Sequence, residues 1–568
     1  MEFKNFSDLK VEKPDLNAIR SEGEKLCARL KNASDANEAI ETILDEFRLD
    51  DGVSSNYTIV SIRNSCDIRD PYYKDLMDYY DENLPSIQKI FNAFEKEVYA
   101  SKYRKEIEER FGKQYITKIE MSLKTFKPEI MGDLVEENKL VSEYNSLMGQ
   151  AKGVYKGEEI PITKFDALMD SPNREVRKEA SAAYWGFFEK NEEKLASIYS
   201  RLVEVRTRMA KKLGFENYLP LGYLRMGRSD YGPEEVRKYR KKVLEEIVPL
   251  DNGLYADQMK RIGISDPKYY DYRYKFLSGN PKPHGTPEEL VEAAKKMYAE
   301  MNPVASKYFD FMADHGLMDL VARDGKIPGG YMTYIPSIRS SFIFSNFNGS
   351  DGDVDVLTHE FGHSLQGFLS ADIEVPSLRS PGAECCEIHS MSMEFLTYPY
   401  MELFFKEDAD KYRYQHLADG LEFIPYGVTV DAFQDFVYTH PEATHEERKA
   451  EWRRLEKLFT PHKKFGEDNP FLESGGWWMR QLHIFVDPLY YIDYTIAQIG
   501  AFEFFVSSLT DPKATFEKYL NYDRLGGKYP YKELLKKAGI SDPMEEKTIP
   551  ELIPHLTAYL ARFDTEKL

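Results

Sequence analysis

Cysteine is scarce: the 568 residues contain only Cys27, Cys66, Cys385 and Cys386. Two are adjacent, the others are scattered, and no CxxC pair occurs. Neither a disulfide framework nor a cysteine-ligated zinc site is therefore indicated, and a reducing compartment is expected. Long apolar runs are missing as well. No uninterrupted stretch approaches the roughly 18 residues that a membrane span requires. The opening segment, MEFKNFSDLKVEKPDL, is charged from its second residue and has no apolar h-region of a secretory signal. These absences lead to the expectation of a cytoplasmic protein with no membrane partner. Positive charge is in deficit, with 76 Lys and Arg against 96 Asp and Glu for a net charge of −20. Phosphate backbones require a basic surface, so nucleic acid is not an expected partner.

What is present is material for a large core. Apolar residues make up 42% of the chain, including 39 tyrosines and 34 phenylalanines, which excludes a disordered chain. The length suffices for several domains or for one large fold of two lobes. The prevailing pattern is helical, with apolar residues three and four apart in charged segments. In TPEELVEAAKKMYAEM, Thr286 and Glu289 form a capping-box pattern, Pro287 suits the first helical position, and Leu290, Ala294, Met297 and Met301 make one stripe. Asn173 to about Leu213 reads as one or two long helices that break at LGFENYLPLGY. One stretch departs from this habit. GGYMTYIPSIRSSFIFSNFNGSDGD is bracketed by glycines, and its SFIFSNF reads as a strand, whose free edge would suit an extended peptide.

Immediately after it comes DVDVLTHEFGHSLQGF. On a helix, His359 and His363 lie one above the other on one side, and Leu357, Phe361, Leu365 and Phe368 fall roughly opposite. A helix with two imidazoles in front and an apolar back is half of a zinc site, because a zinc hydrolase typically uses three protein ligands and leaves a position for water. A metzincin would place Gly and His at positions held here by Gln366 and Leu369. The third ligand is therefore expected downstream, as a carboxylate on a second helix. SPGAECCEIHSMSMEFL provides candidates: Glu384, Glu387, Met391 and Glu394 share one helical face, and such a row is costly to bury without a cation.

HEFGHS, followed by ECCEIHSMSMEF and later by HIFVDPLYYIDYTIAQ, resembles the M3 family of metallopeptidases, and within it the oligoendopeptidase F branch with the Pz-peptidase type. The likeness takes in GGYMTYIPSIRSSFIFSNFNGS and, more loosely, the chain from about residue 165 onward. It implies a mainly α fold of two helical lobes enclosing a deep substrate channel, with a small β-sheet beside the zinc helix. The lobes would be residues 1–165 and a catalytic 166–568. The resemblance makes His359 and His363 ligands of one Zn2+ per chain and Glu360 the general base. It places the third ligand at Glu387, the Glu of an E-x-x-S pattern ending at Ser390, with Glu394 holding a histidine tautomer from behind. Glu384 stays open as the alternative by spacing.

The oxyanion of the reaction needs further donors, and QLHIFVDPLYYIDY offers His483, Tyr490, Tyr491 and Tyr494, with Asp487 and Pro488 reading as the start of a helix. Thimet-type relatives carry a His and several Tyr here in a glycine-rich run. This sequence keeps paired tyrosines but lacks the first Tyr and the glycines, which leaves His483, Tyr494 and Tyr491 as the catalytic candidates beside Glu360. Of the other histidines, His284, His315, His416, His440, His445, His462 and His555 offer no ligand-like spacing, and His389 points off the Glu387 face. Gly475 and Gly476 suit a loop able to move over substrate. The expected activity is zinc-dependent hydrolysis of internal bonds in short unstructured peptides. A dipeptidyl carboxypeptidase of the same family, or an inactive peptide-binding protein, is the alternative. A carboxypeptidase needs a cation placed to hold the substrate C-terminus.

Overall fold

Apolar stripes at helical spacing must be buried against one another, and they are. The computed structural model describes residues 4–327 and 329–568, and among these helices dominate and only five short strands form. The helix Pro287–Met301 begins as its sequence dictates: Thr286 caps it, the reciprocal Glu289 bond is made, and Leu290, Ala294 and Met297 are buried. Arg174–Lys190 and Glu192–Leu213 are the two long helices expected after Asn173. The break that follows is shorter than its sequence suggests. Asn217 caps a new helix, Tyr218–Arg225, and Pro220 sits in its first turn, where a missing N–H costs nothing.

One extended core runs through most of the chain, from Phe6 to Leu560. A second, smaller core joins the first helices, through Leu26, Ile43, Phe94 and Ile119, to Val375 and Leu378. A hairpin pairs Lys152–Tyr155 with Glu158–Pro161. The other sheet has three strands. SFIFSNF is its central strand, Ser340–Phe347, parallel to Met318–Val321 and antiparallel to Tyr331–Ile335. The expected strand is there, but its edges are both paired; the sheet edge on the antiparallel side belongs to Tyr331–Ile335, most of it half-exposed.

The central strand leads straight into the helix that carries HEFGH, Gly352–Leu369. Asp353 ties the junction, accepting from the Asn348 and Gly349 N–H groups at 2.9 and 2.8 Å. Leu357, Phe361 and Leu365 are fully buried behind this helix, whereas Phe368 is 41% exposed and stacks on Tyr308 at 4.3 Å. Ala383–Leu396, with the glutamates, lies against it, and Tyr491–Ser508, with the tyrosines, lies against Ala383–Leu396 in turn. Their close approach depends on glycine. A Cβ on Gly362, the glycine of HEFGH, would lie 2.9 Å from His389 O and Ser390 Cα; one on Gly500 would lie 2.8 Å from the Ile388 side chain. Gly362 therefore lets its helix meet the glutamate helix backbone to backbone, and Gly500 makes room for the Ile388 side chain between the glutamate and tyrosine helices.

Candidate metal centre and active site

Helix geometry alone stacks His359 and His363, whose rings lie 5.0 Å apart at 84°. The glutamate helix, drawn in at Gly362, delivers Glu387 to them. Glu387 Oε2 lies 3.3 Å from His359 Nε2 and 3.6 Å from His363 Nε2. These three side chains form a cluster able to hold a metal ion. Glu384 does not join them. Three residues before Glu387 and about 60° away around the helix, it is buried on another side, where burial and then Asp493 push its carboxyl up to about 8 against the pull of Arg228.

Glu394 takes the far side of His359. Its Oε1 accepts from His359 Nδ1 at 2.6 Å, which leaves the Nε2 lone pair directed at the cluster. Its Oε2 accepts from His416 Nε2 at 2.6 Å, and His416 Nδ1 meets the Tyr398 hydroxyl at 2.7 Å. Burial opposes charge on His416, yet Glu394 and Asp355 push it up to about 9. His416, which has no ligand-like spacing in the sequence, is thus the residue that holds the second oxygen of Glu394. His389 does point away, with Nδ1 2.5 Å from Asp523 Oδ1. Burial likewise opposes charge on His359, but Glu387 and Glu394 hold it well above its ordinary range, so the two carboxylates favour positive charge at Nε2, either a proton or a metal ion that takes the proton's place. Glu360 is buried on the same turn as the histidines, and its carboxyl is raised by that burial, with His359 and His363 pulling the other way.

The tyrosine segment closes the cluster. The helix begins at Tyr491, later than Asp487 and Pro488 suggest, because Leu489 is in the left-handed region at φ 70°. Three contacts hold this strained residue. Its N–H donates to Gln434 Oε1 at 2.8 Å, its carbonyl accepts from Arg228 Nη2 at 2.7 Å, and its side chain fills the space beside Gly222. Arg228 also donates to Asp493 at 2.6 Å, both being buried. The turn so fixed aims Tyr490 at the cluster, and its hydroxyl donates to Glu387 Oε1 at 2.7 Å. Tyr494 lies 4.9 Å from Tyr490 and 5.7 Å from His483, ring to ring, and Tyr491 lies 4.9 Å from His483. Gln481 Nε2 donates to His483 Nδ1 at 2.8 Å, while Gln481 Oε1 accepts from Tyr426 at 2.6 Å. An amide nitrogen only donates, so His483 carries its proton on Nε2. Burial keeps this imidazole below its usual range and hence neutral. Gln481, His416 and the Tyr490 contact were not foreseen, and nothing in their local sequence signals them. Gly475 and Gly476 have a packing role: a Cβ on either would strike Lys449 O or the Phe471 ring.

This geometry can be set beside known proteins. The family model described as peptidase family M3 matches residues 167–552, and that of the peptidase M3 N-terminal domain matches residues 6–126. The chain belongs to peptidase family M3. Within the family it lies in the oligoendopeptidase F and Pz-peptidase branch. The solved structure of Pz peptidase A with an inhibitor is 43% identical, with a TM-score of 0.94 over 99% of this chain and 100% of that one. Oligopeptidase PepF of Bacillus subtilis is 22% identical over 92% of this M3 chain and 79% of its own. Group B oligopeptidase PepB of Streptococcus agalactiae is 24% identical over 80% of this chain and 73% of its own. A mainly helical fold with small sheets is common to the chain and to this structural relative.

Proposed function

We propose that the protein is a zinc-dependent oligoendopeptidase, and the observation that carries this reading is the convergence of His359, His363 and Glu387 beside the buried Glu360 in a chain of family M3. The donor set fits zinc. Bonds of about 2.0–2.1 Å to nitrogen and oxygen set the ligands of a tetrahedral ion about 3.3–3.4 Å apart, against 3.3 and 3.6 Å between Glu387 and the histidines. His359, His363 and Glu387 would hold one ion. Zinc, when bound, supplies a Lewis acid that lowers the pKa of a water and polarises a carbonyl.

The remaining work falls to the chain. Glu360 takes a proton from the attacking water and returns it to the leaving amine, a task suited to a buried carboxylate with a raised pKa. His483, with its proton on Nε2, and the Tyr494 hydroxyl donate to the oxygen on which negative charge develops, with Tyr491 beside them. Glu394 keeps His359 in the ligating tautomer, and Tyr490 keeps Glu387 from turning.

Two helical lobes, residues 1–165 and 166–568, would enclose a channel that admits unstructured peptides and excludes folded proteins. The pattern of exposure on Ala409–Thr439 supports a cleft: in a largely buried helix, His416, Asp419, Phe423 and Tyr426 stay half-exposed at helical spacing. Among the described residues no helix is long and apolar enough to cross a membrane, and the cysteines are unpaired; the cytoplasm is the proposed location. The test is zinc content together with cleavage of an internally quenched peptide blocked at both ends. Zinc-dependent cleavage of that peptide, with a folded protein left intact, is expected. Cleavage of unblocked peptides alone, two residues from the C-terminus, would favour the dipeptidyl carboxypeptidase reading. No cleavage at all would favour a peptide-binding role.

A further inference from the structure

The half-exposed stripe on Ala409–Thr439 starts at His416, behind the metal cluster, and ends at Tyr426, whose ring meets Tyr491 at 5.9 Å. Beyond Tyr426 stand two cations on one aromatic wall. Lys463 Nζ lies 4.8 Å over the Tyr426 ring and 4.5 Å over the Trp477 ring. The Arg480 guanidinium lies 5.7 Å from Trp477, 5.9 Å from Tyr184 and 6.0 Å from Trp185. Lys463 is half-buried and Arg480 exposed, so both reach solvent beside the site.

Among the described residues, neither cationic head has a carboxylate at ion-pair distance or a hydrogen-bond acceptor. The acids nearby are committed elsewhere. Glu473 pairs with Arg453 and Lys457, Asp419 and Glu422 pair with Lys275, and Asp166 and Asp170 pair with Arg273. Burial holds the Lys463 ammonium below its ordinary range and Arg480 lowers it further, while Glu456 and Asp251, the acids that attract it, are themselves pushed by burial up to about 7 and about 8. Two like charges on one wall repel, aromatic faces repay only part of that cost, and a single anion between them would remove it. A guanidinium fork matches a carboxylate in particular. The wall is also wired to the site, since Tyr426 donates to Gln481 and Gln481 to His483.

Resting on the peptidase reading above, we propose that Arg480 and Lys463 form a subsite that binds a carboxylate of the substrate peptide. The carboxylate comes either from a free C-terminus or from an Asp or Glu side chain. The subsite would make the enzyme selective for peptides that place an anion there.

The experiment compares one internally quenched peptide as C-terminal acid and as amide. It adds a Glu/Gln pair of the amide at each position on the C-terminal side of the cleaved bond. Wild type, Arg480→Met and Lys463→Met are assayed, methionine being chosen to keep the apolar stem. Wild type should show a KM about ten- to a hundredfold lower for the form bearing the correctly placed carboxylate, the range for charge-assisted bonds. Each substitution should bring that ratio close to one, and high salt should shrink it in wild type only. An acid/amide effect assigns the C-terminus, and a Glu/Gln effect at one position assigns a side chain. Ratios near one throughout in wild type, or a preference that survives both substitutions, would overturn the proposal. Calorimetric binding of the same peptides to Glu360→Gln gives the ratios without turnover. If wild type cleaves nothing, the peptidase reading fails, and the binding ratios still decide the subsite.

Discussion

The Tyr490 hydroxyl donates to Glu387 Oε1 at 2.7 Å, while the other oxygen of the same carboxylate faces His359 and His363. One tyrosine thus fixes how the glutamate presents itself to the histidines. Ser390, one turn on, donates to Oε2 at 3.0 Å and steadies it from within the helix.

From this contact follows a prediction for Tyr490→Phe. Loss of a partner of this kind typically costs 10–100-fold in metal affinity, and competition with a chelator of known affinity measures it. An unchanged zinc affinity would show that the hydroxyl does not hold Glu387. Tyr494→Phe should behave differently. It is expected to keep its zinc and its KM while kcat falls by about 10²–10³, the usual loss of one oxyanion donor.

Glu360→Gln should retain zinc, because Glu360 lies outside the cluster of His359, His363 and Glu387. Turnover should fall by at least about 10²–10⁴, the range for general acid–base work. Near-normal kcat with zinc bound would remove Glu360 from the mechanism.

Glu387→Ala should lose zinc on dialysis, and Glu384→Ala should keep it, with metal analysis as the readout. The reverse pattern would mean that the glutamate helix turns in solution to present Glu384, which its burial beside Asp493 and Arg228 opposes.

Gly362→Ala tests whether the helices must touch. Its methyl would press on His389 O and Ser390 Cα at 2.9 Å and on Met393 Cβ at 3.0 Å. Overpacking of this kind costs about 1–3 kcal/mol. Because the strain separates Glu387 from the histidines, thermal stability and zinc affinity should fall together. A stability loss with unaltered zinc binding would uncouple the crossing from the site.

Much of this was legible in the sequence, because much of it is local. The pairing of His359 with His363 follows from 3.6 residues per turn, the start of Pro287–Met301 from its capping box, and SFIFSNF from its β-formers. The motifs, in their order along the chain, resemble those of family M3. Interactions within a few residues are fixed by backbone geometry, and those a sequence does state.

What lay beyond it depends on how helices cross. Glu384 and Glu387 differ by about 60° around one helix. The way that helix packs, with its backbone at Gly362 on one side and Ile388 against Gly500 on the other, turns Glu387 rather than Glu384 toward the histidines. His416 reaches Glu394 across 22 residues and Tyr490 reaches Glu387 across 103. No local pattern encodes such a meeting, since each is the joint result of many buried contacts. The left-handed turn at Leu489, which the sequence reads as the plain start of a helix, exists because Arg228, Gln434 and Gly222, all distant in the chain, outweigh its local cost. The sequence by itself determined the helices, the strand and the chemistry they carry; the tertiary structure decided which side chains meet, because close approach and buried hydrogen bonding are satisfied only by the whole fold at once.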